Sequence, residues 1–174
     1  MSTVKLVGIL NVTPDSFSDG GKFIDPDDAL AHARQLVKEG ASLIDVGAES
    51  TRPHATPLSA DQEWDRLKDI LPVLVREFPG RISLDTYHPE TVRRAAGIGP
   101  VIVNDVTGFN NPDMIKTASE QGLRCIVSHL PKRFGQDIQL AHTDTLVDSI
   151  EQVKNELLEK REEMIYQGIA AEDI

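Results

Sequence analysis

Three features of the sequence predict an α/β architecture built on a parallel sheet. Five short β-branched runs alternate with amphipathic helical patterns, each run carries or ends in a polar residue, and no flexible linker interrupts the series. Such runs, apolar for most of their length, are those of strands in a parallel sheet covered by helices. Five βα units fit either a doubly wound sheet or the first five-eighths of a (β/α)₈ barrel, which takes about 250 residues when whole.

The first run is VKLVGIL, residues 4–10, and it exits through Asn11 into the polar stretch NVTPDSFSDGGKF. A helix follows over DPDDALAHARQLVKEG, with Asp25 as N-cap, Pro26 at the first helical position and Gly40 as the stop. Its apolar stripe is Ala29, Ala33, Leu36 and Val37. The second strand is SLIDV. The helix after it opens at Ser59, where Ser59 and Gln62 have capping-box spacing, and Pro72 is expected to kink it. RISLD is the third strand, with a short helix opening at His88-Pro89, and VIVND is the fourth, with a helix from about Pro112 to Gly122. RCIVS is the fifth, and a long charged helix runs from about Asp144 to Gln167 before Gly168.

Bulk composition narrows the function. A chain of 174 residues, 40% hydrophobic and 26% charged, has enough apolar material for one domain, taken as residues 1–174. No apolar run approaches the roughly 18 residues of a membrane span, and no secretory signal opens the chain. The lone Cys125 forms no internal disulfide and fits a reducing cytoplasm. A net charge of −10 argues against nucleic acid or an anionic membrane as partner, so an anionic ligand must be gripped by local groups.

Polar residues recur where the strands end: Asn11, Asp45, Asp85, Asn104-Asp105 and Ser128-His129. The carboxyl ends of parallel strands converge on one face, where ligands bind. Buried without partners, such groups cost several kcal/mol each, so the set implies a polar network or a polar ligand; the alternative for each is that it caps its own loop. Asp15, Asp19 and Gly20 resemble part of an EF-hand, but Phe17 and Pro26 fall where an oxygen ligand and the closing glutamate belong, and that reading fails. Asn11-Val12-Thr13 is a glycosylation sequon at a strand end, discounted for a chain without a secretory signal.

GILNVTPDSFSDGG, IDVGAESTRP, ISLDT and VIVNDVTG resemble, in order and spacing, successive signatures of the dihydropteroate synthase family. That resemblance selects the (β/α)₈ barrel type, here as an incomplete barrel or open parallel sheet. It implies condensation of 6-hydroxymethyl-7,8-dihydropterin diphosphate with p-aminobenzoate, releasing diphosphate with the help of Mg²⁺. Asn11 matches the metal-binding position. Thr51 matches a contact to the pterin diphosphate, and Arg52 beside it offers a charge-assisted fork to phosphate. Asp85 and Asn104 match the positions that read the pterin, and Asp85 is the residue to stabilise positive charge developing on the pterin methylene. Phe17, Ser50 and Pro53 match the loops that wall the p-aminobenzoate site.

The resemblance also has departures. At the fifth strand's end the chain reads Ser128-His129-Leu130-Pro131-Lys132 where the family has Met-His-Met, and a structural hydrogen bond is expected of His129. Three late βα units of the family, which carry its Asp-Pro-Gly, lysine and Arg-x-His motifs, have no counterpart, nor do the helices through which it forms homodimers. Negligible synthase activity is therefore expected of these residues alone. Two alternatives stand beside this reading. One is a methyltetrahydrofolate-binding methyltransferase-like barrel, against which TPDSFSDGG and ESTRP weigh; the other is a non-catalytic partial barrel.

Overall fold

The computed structural model describes residues 4–13, 25–141 and 148–174. Its strands are β1 (Leu6–Asn11), β2 (Ala41–Gly47), β3 (Ile82–Asp85), β4 (Ile102–Asp105) and β5 (Arg124–Val127). Its helices are α1 (Pro26–Lys38), α2 (Ala60–Leu67), α3 (Leu71–Glu77), α4 (Pro89–Ala96), α5 (Pro112–Gln121), α6 (Ile138–Ala141) and α7 (Ile150–Tyr166). All neighbouring strands are parallel, and the sheet order is β1-β2-β3-β4-β5. A doubly wound sheet reverses its strand order at a switch point; this one never does, and so has the barrel-type progression.

Local chemistry sets the helix ends. Asp25 accepts a hydrogen bond from the Asp27 N–H at 2.8 Å, with Pro26 at the start of α1. Ser59 and Gln62 close a reciprocal capping box on α2. Gly122 ends α5 in the left-handed conformation that a Cβ disfavours. The expected kink at Pro72 is instead a break. A proline ring clashes with the carbonyl four residues earlier, here that of Lys68, so α2 ends at Leu67 and Pro72 sits in the first turn of α3. The long charged helix also starts later than expected, at Ile150, where the Ser149 hydroxyl accepts from the Gln152 N–H at 3.1 Å.

One face of the sheet meets the helices. Leu10, Ile44, Val46, Leu84 and Val103 are fully buried there against Ala29, Ala33, Leu67, Leu74, Ala95 and Ile115. Alternate residues turn to the opposite face, the inner face of a barrel-type sheet. The strand register lays two rows across it. Ile9, Asp45, Ser83 and Ile102 form the lower row; Asn11, Gly47, Asp85 and Asn104 form the upper row, at the strands' carboxyl ends. β1 does not match the expectation of a buried strand: Val7 and Ile9 are 47% and 62% exposed, because they point to the inner face, away from the helices that bury Leu10 of the same strand.

Candidate functional site

The upper row brings together residues from four βα units. Asn11 pairs in register with Gly47, Gly47 with Asp85, and Asp85 with Asn104. Beside it, the segment from Glu49 to Leu58 leaves β2 and lines a half-open cavity of about 560 Å³. Asn11, Ser50, Thr51, Arg52, Pro53 and Asp85, all singled out in the sequence, line that cavity. Asn104 borders Asp85 rather than lining the cavity, and its amide is turned to Asp45, with Nδ2 donating to Asp45 Oδ2 at 3.0 Å. Phe17 lies outside the described residues.

Asp85 is the most perturbed of these carboxylates. Burial first, and then the like charges of Asp45, Glu63, Asp105 and Glu49, together raise its pKa from the ordinary 3.8 to about 7. Asp45 is raised as well, by burial, with the Asn104 amide pulling the other way. Its second oxygen faces the Ser83 hydroxyl of the next strand without a well-formed hydrogen bond. Asp105 goes with neither. It turns to the helix side and caps its own loop, accepting from the Thr107 N–H and hydroxyl at 2.7 Å each and from the Phe109 N–H at 3.1 Å. His129, as expected, is tied up structurally, 2.9 Å from Glu156 of α7.

Several supporting residues carry no motif that betrays them. Arg66 of α2 lines the cavity while its guanidinium donates to the Ala48 carbonyl at 2.7 Å, giving the cavity a second cation besides Arg52. Gln139 of α6 brackets the loop above the cavity: its Oε1 accepts from the His54 N–H at 3.0 Å and its Nε2 donates to the Arg52 carbonyl at 3.3 Å. Glu49 anchors the base of that loop. Its side chain, 6% exposed, accepts from the Tyr87 hydroxyl and lies 3.3 Å from His88 Nε2. Burial works against the Glu49 charge, but the hydrogen bonds from His88, Tyr87 and the Leu58 backbone outweigh it and hold the pKa below its ordinary value. The bond to Glu49 raises His88 in turn.

Among the described residues one acidic group has the proximity a metal ion needs: ligand atoms of Glu49, Glu63 and His88 lie within 4.8 Å of one another. Both Glu49 oxygens are already engaged, and Glu63 Oε2 accepts from Thr86 Oγ1 at 2.8 Å. That trio is a hydrogen-bonded brace under the cavity. Asn11 suits a hard cation better: its amide oxygen stands at the cavity rim beside the gap left by Gly47.

A barrel-type α/β protein with a polar cavity at the carboxyl ends of its strands is the class that fold and site define. Within that class the chain belongs to the family described as pterin binding enzyme, whose sequence signature matches residues 7–174. It is 41% identical over 130 residues to the dihydropteroate synthase of Escherichia coli K12, covering 75% of this chain and 46% of that protein. To the Bacillus subtilis dihydropteroate synthase it is 40% identical over 151 residues, covering 86% of this chain and 52% of the other. The chain thus spans about half the length of these relatives. Among solved structures, the Xanthomonas albilineans dihydropteroate synthase with 4-aminobenzoic acid superposes with a TM-score of 0.82 at 32% identity, covering 96% of this chain and 58% of that one. The Burkholderia cenocepacia dihydropteroate synthase complexed with 7,8-dihydropteroate gives 0.78 at 31% identity, covering 98% and 57%.

No described helix is long and apolar enough to cross a membrane.

Proposed function

We propose that this chain carries the N-terminal part of the active site of a cytoplasmic dihydropteroate synthase. That enzyme joins 6-hydroxymethyl-7,8-dihydropterin diphosphate to p-aminobenzoate and releases diphosphate. One observation carries the reading: the row Asn11, Gly47, Asp85, Asn104 has an amide, a gap and a half-buried carboxylate side by side beneath a loop bearing Thr51 and Arg52. Relatives of the same fold support the substrates, since one is solved with 4-aminobenzoic acid and another, from Anaplasma phagocytophilum, with 6-hydroxymethylpterin-monophosphate.

In this reading the amine nitrogen of p-aminobenzoate attacks the pterin methylene carbon. The carbon–oxygen bond to diphosphate breaks, its electron pair leaves with the diphosphate oxygen, and the amine releases a proton. Asp85 holds the pterin by its N–H donors and faces the positive charge that develops on the ring system. A pKa near 7 suits that task, because a donor-rich or cationic partner favours the ionised carboxylate and so draws binding energy from the relief of a strained charge. Arg52 and Arg66 attract the diphosphate locally against the net charge of −10. The segment from Ser50 to Pro53 closes one side of the cavity and excludes water from the reacting carbon. Magnesium, when bound, supplies charge neutralisation to the leaving diphosphate, and Asn11 is the residue of this chain that would hold it.

Titration calorimetry of the purified chain with the pterin diphosphate, with and without Mg²⁺, tests the reading. Saturable binding strengthened by Mg²⁺ is the expected result. Heat indistinguishable from dilution under both conditions overturns it.

A further inference from the structure

We propose that Asp45 is a positioning residue that fixes which way round the Asn104 amide sits, so that the site offers a ligand two neighbouring acceptors, Asn104 Oδ1 and the Asp85 carboxylate. This deepens the pterin-site reading and rests on it. Asp45 stands in the lower row on β2, and Asn104 in the upper row two strands away on β4. Between them on β3 is Ser83, fully buried and small enough for the Asp45 side chain to reach across. The contact it makes is the 3.0 Å hydrogen bond from Asn104 Nδ2 to Asp45 Oδ2.

The consequence follows from the chemistry of the two groups. The ends of a side-chain amide are almost equal in size, so packing alone does not choose between its orientations; its partners do. An ionised carboxylate has no hydrogen to give, so the amide end facing it must be the NH₂. Asn104 Oδ1 is therefore directed away from Asp45, on the strand whose register neighbour is Asp85. Two acceptors side by side want a ligand edge with neighbouring N–H donors, and they penalise an edge in which one donor becomes a carbonyl, because two acceptors then meet unpaired. Were Asn104 free to turn over, it would accommodate either edge. Asp45 thus acts on selectivity without touching the ligand.

The test uses the whole chain at pH 8 and three variants, Asp45→Ala, Asp45→Asn and Asn104→Ala. In ¹H–¹⁵N spectra, Asn104→Ala identifies the Asn104 side-chain amide. Asp45→Ala should move that pair to the position and rapid exchange of a solvated amide, while Asp45→Asn, which keeps an acceptor oxygen, should hold it in place. An unmoved pair in Asp45→Ala overturns the proposal. Calorimetry with 6-hydroxymethylpterin and with 6-hydroxymethyllumazine, which carries a carbonyl in place of the 2-amino group, reads the selectivity. The wild type should prefer the pterin by at least about a hundredfold. Asp45→Ala should shrink that preference at least about tenfold, and Asp45→Asn should restore most of it. Equal losses of both affinities, with the preference intact, would mean a merely structural role and overturn the proposal. If the wild type binds neither compound, the pterin reading itself fails and the amide spectra decide the orientation alone.

Discussion

Asn11 and Asp85 close on one gap from opposite sides: their side-chain oxygens lie 3.5 Å and 3.1 Å from the point where a β-carbon on Gly47 would sit. The middle strand of the three thus contributes no side chain to the upper row, and the space between an amide oxygen and a carboxylate oxygen stays open.

Filling that gap should separate binding from stability. In Gly47→Ala the added methyl approaches Asp85 Oδ2 more closely than ordinary van der Waals contact allows, so the carboxylate must turn aside. The expected cost in folding is small, about 1–2 kcal/mol, since alanine is at ease in a strand and one side chain can give way. Affinity for 6-hydroxymethylpterin should fall at least about tenfold, or ~1.4 kcal/mol. Urea unfolding and calorimetry on the same preparation check both; unchanged affinity would remove Gly47 from the site.

Asp85 should make the protein less stable as pH rises through the mildly acidic range. The carboxyl ionises near 3.8 when unfolded but near 7 in the fold, so between those values the folded state holds more protons. Stability contributed by this group therefore falls from about pH 4 to pH 7 and levels off above. Asp85→Asn removes the penalty. It should be close to neutral at pH 4 and stabilising by roughly 2–4 kcal/mol at pH 8, while pterin binding is lost. Denaturant titrations of both proteins at the two pH values give the difference directly. Equal stability at pH 8 would mean that Asp85 is not strained.

Much of this was legible in the sequence, for reasons that can be named. Helix starts declare themselves locally, so Asp25 and the Ser59–Gln62 box are found where the spacing puts them. Strand ends are legible too, because a polar residue after an apolar run marks where the chain leaves the core. What local pattern cannot carry is neighbour order and direction. The doubly wound and barrel alternatives share the same βα series and differ only in which strands lie side by side. Asn104 and Asp105 are adjacent in sequence, yet the alternation of a strand sends one to the site face and the other into its own loop. Gln139 braces His54 across 85 residues, and Asp45 reaches across a strand through the space a serine leaves. Such relations depend on register, which periodicity does not specify.

Glu49 should act as the anchor of the cavity loop. Replacing it with Ala strips a half-buried Tyr87 hydroxyl and the His88 ring of their acceptor, which should cost about 2–4 kcal/mol. The pairing has its own pH window. Glu49 is held low, so its contribution is lost as pH falls below its ordinary 4.5; His88 is raised, so its contribution is complete below its ordinary 6.5 and lost as pH climbs through the raised value. In Glu49→Gln the His88 ring protons should titrate at a lower pH than in the wild type, and hydrogen exchange over residues 50–58 should quicken. An unshifted His88 titration would show that Glu49 does not hold it.

The last prediction concerns the metal. Asn11 ends the edge strand, and its neutral amide oxygen is a ligand that a hard cation accepts alongside phosphate oxygens and water. Removing that oxygen should leave contacts to the heterocycle intact and abolish only the part of the affinity that Mg²⁺ adds. The wild type is therefore expected to bind the pterin diphosphate at least about tenfold more tightly with Mg²⁺ than with EDTA, a gain of ~1.4 kcal/mol. Asn11→Ala should bind with equal affinity in both, close to the wild-type value in EDTA. Asn11→Asp keeps an oxygen ligand and adds charge, and should recover the dependence. If Asn11→Ala retains the full magnesium effect, the cation is held elsewhere, and the upper row serves the heterocycle alone.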